Sequence, residues 1–505
     1  MALLDSLPSA RGPGGRRLQG AGRSSTAAPV AVAAAALAWA ANAGLKSSCP
    51  DPVRCRARKS CGRPDSPSAF ARAGCFAQPG ASPHRLDCRR AEYWKPDGRA
   101  RLFLSPMESI GDRIFRRALL AACGGFDEGC TEFLSISVGG GKKGHDWLTP
   151  SQWRKRFEQF YDLAELGEAV AGPQVAMQFM GADPRLLRTA VEQMREVLPP
   201  SSWPPRLDLN CGCPSRTSTG RGAGSSLLRD SADVARCVEA LVVGGGGAIP
   251  VSVKMRTGFE DTSLFEANLL AAEKAGAAFI TVHARTRMQH YSGSAEWQLL
   301  ARAKAVLSVP VVGNGDVFVQ GDCLRMLRET GVDAIAVARG ALRDPAIFLR
   351  CRAALEGESQ AGVPSWPAAV GLLSEHLIRE IEDHALGQAG LGKTWNVRLR
   401  TRQEKKLFSR IARKGARSVD ELEADEVHVV DECARARLKQ LLPHLAESPL
   451  APEGFAGQVH TLLRESPMSA RDFAAALTHV ANGGTPFSCE HAEKEHSQMV
   501  RSHSS

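Results

Sequence analysis

Eight short apolar runs, each followed by a segment long enough for a helix, constrain this chain more than any other feature. They are Leu102–Leu104, Phe133–Val138, Val175–Phe179, Leu207–Leu209, Val251–Val253, Phe279–Val282, Val309–Val312 and Ala334–Val337. Near-continuous Val, Ile and Leu mark strands that are covered on both faces, as parallel strands are. Apolar residues at helical spacing fill the intervals, as in Asp112–Cys123, Pro184–Val197, Ser231–Val243 and Ser263–Ala275. Alternating strands and helices over roughly 250 residues close into an eight-stranded parallel barrel, so the expected fold class is an α/β (β/α)8 TIM barrel spanning residues 99–349.

Beyond residue 350 the strand rhythm stops. The long amphipathic stretches Pro367–His384, Val427–Leu445 and Ala470–Val480 predict a helical domain over 350–480, interrupted by a basic insertion near 387–432 and followed by a disordered tail, 481–505. Within the insertion, Lys393–Arg417 carries ten Lys/Arg against Glu404 alone, which is either a solvated helical face or a surface for phosphates.

The net charge of +10 would suggest nucleic acid if it were spread evenly. It is not. Residues 1–98 hold fifteen Lys/Arg and six Asp/Glu, so nearly all the excess lies there. That stretch is rich in Ala, Arg, Ser, Gly and Pro, with Asp5 its one acid before Asp51, which is the composition of an organellar transit peptide and a disordered leader. Chloroplast or mitochondrion is the expected location, chloroplast being favoured by the leader's length and content. Ala27–Leu45 is mostly alanine with Pro29 and Asn42, which argues against a membrane span. Fourteen cysteines without regular close pairs imply reduced thiols, and Cys49, Cys55 and Cys61 lack the spacing of a zinc site, so no metal is expected.

Polar residues gather after the apolar runs: Ser105-Pro106-Met107, Gly139–Gly141, Gln178, Asn210–Cys213, Lys254 with Arg256, His283 with Arg285, Asn314-Gly315-Asp316 and Ala338-Arg339-Gly340. The carboxyl end of a barrel carries the active site, because its loops converge above a packed core. Cys213 sits where a strand breaks at Asn210, Gly212 and Pro214, a junction that aims the thiol outward. Lys254 ends a buried strand and needs an anion or a polarised cofactor atom. A phosphate cradle at Arg339 and Gly340, inward-facing Lys254 and His283, and Gln178 together describe a flavin mononucleotide (FMN) site, with the cysteine facing the flavin. A substrate between them would take a hydride from the flavin and a proton from the thiol, reducing a polarised carbon–carbon double bond.

The chain resembles the tRNA-dihydrouridine synthases over about Leu102 to Leu445. The resemblance rests on Ser105-Pro-Met-Glu-Ser-Ile-Gly-Asp-Arg-Ile-Phe-Arg, Thr131-Glu-Phe, Val175-Ala-Met-Gln-Phe-Met-Gly-Ala-Asp-Pro, Asn210-Cys-Gly-Cys-Pro-Ser, Val253-Lys-Met-Arg-Thr-Gly, Val282-His-Ala-Arg-Thr-Arg with Tyr291-Ser-Gly and Trp297, and Gly313-Asn-Gly-Asp. It implies that Cys213 protonates carbon 5 of a uracil in the tRNA D-loop while flavin N5 delivers hydride to carbon 6, with NADPH or NADH re-reducing the flavin. It further implies that Asn210 orients the base, with Arg256 and Arg285 near the substrate. The cofactor set it implies is Ser105, Pro106, Met107, Gln178, Lys254, His283, Asn314, Gly315, Asp316, Ala338, Arg339 and Gly340. The helical domain would bind tRNA, and Ala436-Arg-Leu-Lys-Gln-Leu441 is similar to the family's Arg-Leu-Lys-Gln segment. A stacked base is out of reach of a flavin deep in a barrel, so the loop must open. A monomer is expected.

Ser105 stands where the family often has Ala, Ala338 where Gly usually precedes the arginine, and 387–432 is longer than the usual spacing. Two other readings compete: an FMN-dependent dehydrogenase of a free pyrimidine, similar to dihydroorotate dehydrogenase, and a tRNA-binding folding factor without catalysis. The first would not need a basic helical appendage. Intact Cys213, Lys254 and His283 argue against the second.

Overall fold

The computed structural model describes residues 99–137, 148–160, 174–386, 410–411, 418–464 and 468–484. The leader 1–98, Gly139–Gly141, the basic stretch 393–417 apart from 410–411, and residues 485–505 lie outside these.

The chain runs β1 (Arg101–Leu104), α1 (Arg113–Ala122), β2 (Glu128–Cys130), β3 (Leu134–Ile136), α2 (Pro150–Phe160), β4 (Gln174–Gly181), α3 (Pro184–Val197), β5 (Leu207–Cys211), α4 (Ser231–Gly244), β6 (Val251–Arg256), α5 (Phe265–Lys274), β7 (Phe279–His283), α6 (Trp297–Val306), β8 (Val311–Asn314), α7 (Gln320–Thr330) and β9 (Ala334–Val337). Every pairing is parallel, β1 joins β9, and β2 bridges β1 to β4, so the ring closes. β3 continues along β4 beyond β2, and the two short strands share one of the barrel's eight staves. This is the expected (β/α)8 barrel.

One stave differs from its expected position. The run Phe133–Val138 contains β3, but the ring is closed by Glu128-Gly-Cys130, which carries a carboxylate and a glycine and so does not read as a strand. Glu128 is fully buried there, tolerated because Arg206 pairs with it inside the barrel. β8 likewise starts at Val311, after Pro310, rather than at Val309.

Strand alternation sorts the staves. Leu207, Leu209, Val251, Val253, Ile280, Val282, Ile335 and Val337 face the helices in the main core, while Phe103, Phe279, Val312 and Ala336 form a small separate apolar cluster. Beside and above that cluster the interior is polar. Local chemistry starts the helices: Asp112 caps α1 by accepting from Phe115 N at 3.0 Å, and Asp183, followed by Pro184, caps α3 by accepting from Arg185 N at 2.9 Å.

After the barrel come α8 (Ile347–Glu356), α9 (Trp366–Ala385), α10 (Ala424–Ala446), α11 (Phe455–Arg464) and α12 (Ala470–Ala481). α9 lies between the barrel's α1 on one side and α10 and α12 on the other. It is apolar on more than one side for that reason, burying Val370, Leu373, Leu377, Ile378 and Ile381. Each such side chain contributes about 1.5–3 kcal/mol when fully buried. Trp366 and Phe455 meet edge to face at 5.1 Å and join α9 to α11. Among the described residues no helix is long and apolar enough to cross a membrane, and no group of three or more His, Cys, Asp or Glu is arranged to hold a metal. The eight cysteines among them are free thiols.

Candidate active site

Register brings the polar residues together on one level of the barrel. Gln178 is paired with Asp208 across β4 and β5, and Asn210 with Lys254 across β5 and β6. Arg256, His283, Asn314 and Ala336 then follow one another across β6, β7, β8 and β9. Ser105, Cys213, Arg285, Asp316 and Arg339 lie in the segments just beyond the strand ends. Parallel pairing alone therefore converts eight separate sequence positions into one rim.

On one side of that rim a hydrogen-bonded chain rises from the barrel interior to the cysteine. Arg206 Nε donates to Glu128 Oε1 at 3.0 Å and its Nη1 to Asp208 Oδ1 at 2.9 Å, with Ser252 packed against both Arg206 and Asp208. Burial pushes Glu128 up, whereas Arg206, although buried, is held in its charged form by its two carboxylate partners. Asp208 Oδ2 accepts from Gln178 Nε2 at 2.8 Å, and Gln178 Oε1 accepts from Asn210 Nδ2 at 2.8 Å. Asn210 Oδ1 in turn accepts from the backbone N–H groups of Gly212 and Cys213, both at 2.9 Å. A carboxylate only accepts, so Asp208 dictates which way each amide faces. Gln178 is anchored from a second side, its backbone N–H donating to Thr131 Oγ1 at 3.0 Å.

Cys213 is 6% exposed and touches Met180 and Ala223. Its sulphur lies 3.5 Å from Ser218 Oγ and 3.8 Å from Glu108 Oε2. Burial pushes the thiol up; hydrogen bonds from Ser218 and the Ser215 backbone pull it back, and the Glu108 carboxylate adds to the rise. The net is a group that keeps its proton, as an acid must and as a nucleophilic thiolate must not.

The opposite side is cationic. Lys254 Nζ donates to Asn314 Oδ1 at 3.2 Å, and burial, with Arg256 nearby, brings its ammonium down to about 8. His283 is held well below its ordinary value by burial and by the charges of Lys254, Arg256, Arg285 and Arg339, so it is a neutral imidazole at pH 7. Arg256 is 2% exposed and donates to three backbone carbonyls, Gly212, Thr286 and His290, each at 2.9 Å. Arg285, 1% exposed, forks onto Asp316 with contacts of 2.9 and 2.6 Å and reaches Gly293 O at 2.6 Å. Asp316 would be raised by burial, but Arg285, the Ala295 N–H and Arg339 outweigh that and hold it below the usual carboxylate range. Both arginines brace loops at the rim.

Two glycines are dictated by space. Gly315 has φ +130° and a Cβ there would come 2.8 Å from Ala295 Cβ; at Gly340 a Cβ would meet Val317 O at 2.2 Å. The second lets the turn after β9 press against the segment after β8, bringing Arg339 Nη2 to 3.0 Å from Asp316. Ala338, one residue earlier, simply leads into that turn.

A family profile described as Dihydrouridine synthase (Dus) matches residues 103–434, from β1 to α10. The chain belongs to the dihydrouridine synthase family. It is 32% identical over 278 residues to the tRNA-dihydrouridine(16) synthase of Ralstonia nicotianae, a match covering 55% of this chain and 80% of that protein. The Escherichia coli K12 protein of the same name is 29% identical over 302 residues, covering 59% and 89%. The tRNA-dihydrouridine synthase B of Pseudomonas aeruginosa is 30% identical over 280 residues, covering 55% and 76%. Dihydrouridine synthases are oxidoreductases, and this chain is one.

Apart from Gly139–Gly141, which lie outside the described residues, the candidate residues expected from the sequence lie on this synthase's rim or in the loops above it. What sequence reasoning missed is the support beneath and beside them: Glu128, Arg206, Asp208, Ser252, Ser218 and Glu108. Arg206-Leu-Asp208 held a signal, since charged residues flanking and interrupting an apolar strand must be paired if they face inward. Tyr291, 55% exposed at the mouth, was noted but given no role; its ring lies 4.4 Å from Arg339 and 5.6 Å from Arg256.

Proposed function

We propose that this protein reduces the 5,6 double bond of a uridine in the D-loop of tRNA, with Cys213 donating the proton to carbon 5. The observation that carries this reading is the Cys213 thiol, buried at a strand end, its backbone tied through Asn210 to the barrel interior and its loop braced by Arg256 beside a rim of further cations. The names of its relatives support tRNA as the substrate.

The residues present fit FMN. Ser105 Oγ is buried without a hydrogen-bond partner among the described residues, Lys254 has donors beyond the one used on Asn314, and the two line one cavity at the strand ends. Gln178, Lys254, His283, Asn314 and the backbone of Ser105–Met107 would hold the ring, with Gly315, Ala338, Arg339 and Gly340 toward the phosphate. When bound and reduced by NADPH or NADH, FMN supplies the hydride for carbon 6.

The chain's own residues do the rest. Asn210, its amide fixed by Gln178, holds the Gly212–Cys213 backbone and so aims the thiol. Burial keeps the proton on sulphur until carbon 5 takes it. The neutral imidazole of His283 and the ammonium of Lys254 polarise what lies in the rim. Outside the described residues, nine of the ten Lys/Arg of 393–417 supply charge to grip phosphates, the tenth, Arg410, being paired with Asp425 and Glu426, and the leader supports delivery to a chloroplast or mitochondrion, which a reporter fused to residues 1–98 would reveal.

The test is to purify the protein, record its flavin absorbance, and assay NADPH-dependent dihydrouridine formation in unmodified tRNA beside free uridine. A yellow protein active on tRNA alone is expected, and Cys213→Ala should lower the rate by about 10²–10⁴ while flavin stays bound. Activity on the free base would instead favour a dehydrogenase of free pyrimidines.

A further inference from the structure

The loop between β1 and α1 carries a carboxylate to the thiol. Glu108 is itself exposed, yet its Oε2 reaches 3.8 Å from Cys213 Sγ. The loop that holds it is braced on three sides. Ser109, in the left-handed region at φ +65°, donates its N–H to Glu132 Oε1 at 2.8 Å. Gly111 N closes a turn onto Met107 O at 2.9 Å. From the helical bundle, Arg437 on α10 reaches Ser109 O at 3.4 Å and pairs with Asp112, the residue that caps α1. Arg437 is 7% exposed. The barrel and the helical bundle together fix the backbone that carries Glu108.

The charges around the thiol explain what such a carboxylate would do. From β6, Arg256 faces the cysteine loop, with Nε on Gly212 O at 2.9 Å. From the segment after β5 come the hydroxyl of Ser218 and backbone groups, with Arg216 and Arg221 exposed on the same segment, and from β4 and the turn after it come Met180 and Ala182, which do not titrate. Lys254, Arg285 and Arg339 stand further round the rim, Glu132 lies behind Glu108, and Arg116 lies behind Glu132. The cations favour a thiolate, and a thiolate is no acid.

We propose that Glu108 is the positioning residue for the acid: its carboxylate, pinned over Cys213 by the Arg437-braced loop, keeps the proton on sulphur against the cations of the rim. This rests on the reading of Cys213 as the proton donor. The burial of the thiol works in the same direction, and Glu108 adds to it. The electrostatic contribution is modest because Glu108 is exposed, so removing its charge should move the thiol by about one pH unit.

The experiment is to measure, on the flavin-loaded enzyme, the pH midpoint of Cys213 alkylation by iodoacetamide, with Cys213→Ala giving the background of the other thiols. The pH dependence of single-turnover tRNA reduction is followed in parallel. Glu108→Gln keeps the shape and removes the charge; the alkylation midpoint should fall by about one unit, and the alkaline limb of the reduction should fall with it. Glu375→Gln, on the exposed face of α9, should move neither. An unchanged alkylation midpoint in Glu108→Gln overturns the proposal. A midpoint that falls while the alkaline limb of reduction stays where it was overturns the underlying reading of Cys213 as the acid, and the two failures are thereby told apart.

Discussion

Asp208→Asn is the most informative single change, because the arrangement of donors and acceptors predicts its effect by counting. The chain from Arg206 through Asp208, Gln178 and Asn210 to the N–H groups of Gly212 and Cys213 begins and ends on pure donors. The carboxylate of Asp208 is the pure acceptor that lets every junction pair a donor with an acceptor. An asparagine there offers one of each, so one donor must face another somewhere along the chain, whichever way the amides flip. A buried donor left unpaired costs about 1–3 kcal/mol, and a hydrogen bond to a charged group is worth about 1.5–3 kcal/mol. Removing one of the two carboxylates beside Arg206 relieves some of their mutual repulsion, so the net loss should be about 2–4 kcal/mol. The mismatch should settle at the end that yields most easily. Asp208 and Arg206 are 2% and 3% exposed within the barrel, and Asn210, at 8%, adjoins a loop. The cysteine loop therefore loses its anchor. Urea unfolding should show the stability loss, and single-turnover reduction should slow by about 10² as the acid loses its aim. A variant that is destabilised yet reduces tRNA at the native rate would refute the idea that this chain of amides positions Cys213.

Burial brings the Lys254 ammonium down to about 8, and under the proposed function the ammonium is the form that binds an electron-rich cofactor atom. FMN affinity should thus be level below that pH and weaken above it, by up to about tenfold per unit, with the break abolished in Lys254→Met; flavin fluorescence quenching across the range would show a flat profile if Lys254 is not a cofactor contact. Gly340→Ala places a Cβ 2.2 Å from Val317 O, a backbone atom that cannot swing aside, and should cost about 1–3 kcal/mol in thermal unfolding. Gly321→Ala, with nothing within 4 Å in the first turn of α7, should be neutral or stabilising, and equal losses in the two would contradict the steric account. Arg437→Met breaks the pair between α10 and Asp112 and should destabilise the protein by about 2–3 kcal/mol, read as a lower urea midpoint; Asp112 still caps α1, so α1 itself should survive, and an unaltered midpoint would mean the bundle holds without this pair.

The barrel was legible because its strands are buried on both faces and read as continuous apolar runs. The stave containing Glu128 was not, because its inward carboxylate is stabilised by Arg206, some eighty residues away in the chain, and no local pattern announces that partner. Lys254, His283 and Asn210 stood out for the reverse reason, as polar residues closing apolar strands. The roles of Arg256 and Arg285 were harder. Their side chains turn back onto carbonyls and Asp316, and direction is decided by loop geometry rather than residue type. Arg437 belongs to a segment associated by resemblance with tRNA binding, yet it is buried against the barrel loop. Composition marks an arginine as available for phosphate, and only packing reveals that its charge is already engaged.

The rim divides by sign, and the division accounts for the place of the acid. Lys254, Arg256, Arg285 and Arg339, with the neutral His283 and with Asp316 held between two of the arginines, come from β6 to β9 and the segments after them, while Glu128, Asp208, Gln178, Asn210 and Glu108, with Arg206 paired to two of the carboxylates, come from β1, β2, β4 and β5 or just beyond. Under the proposed function, cations suit the side that would hold a phosphate and an electron-rich ring, and they favour loss of the proton from a neighbouring thiol. Cys213 lies on the side of the acceptors, its backbone tied to Asn210 and its sulphur beside Glu108, with Arg256 held on Gly212 O between the two halves. Moving the thiol one stave further, to follow β6, would place it among the cations and cost it the proton it has to give. Under the proposed function, the order of the strands, and not the cysteine alone, fits Cys213 to act as an acid.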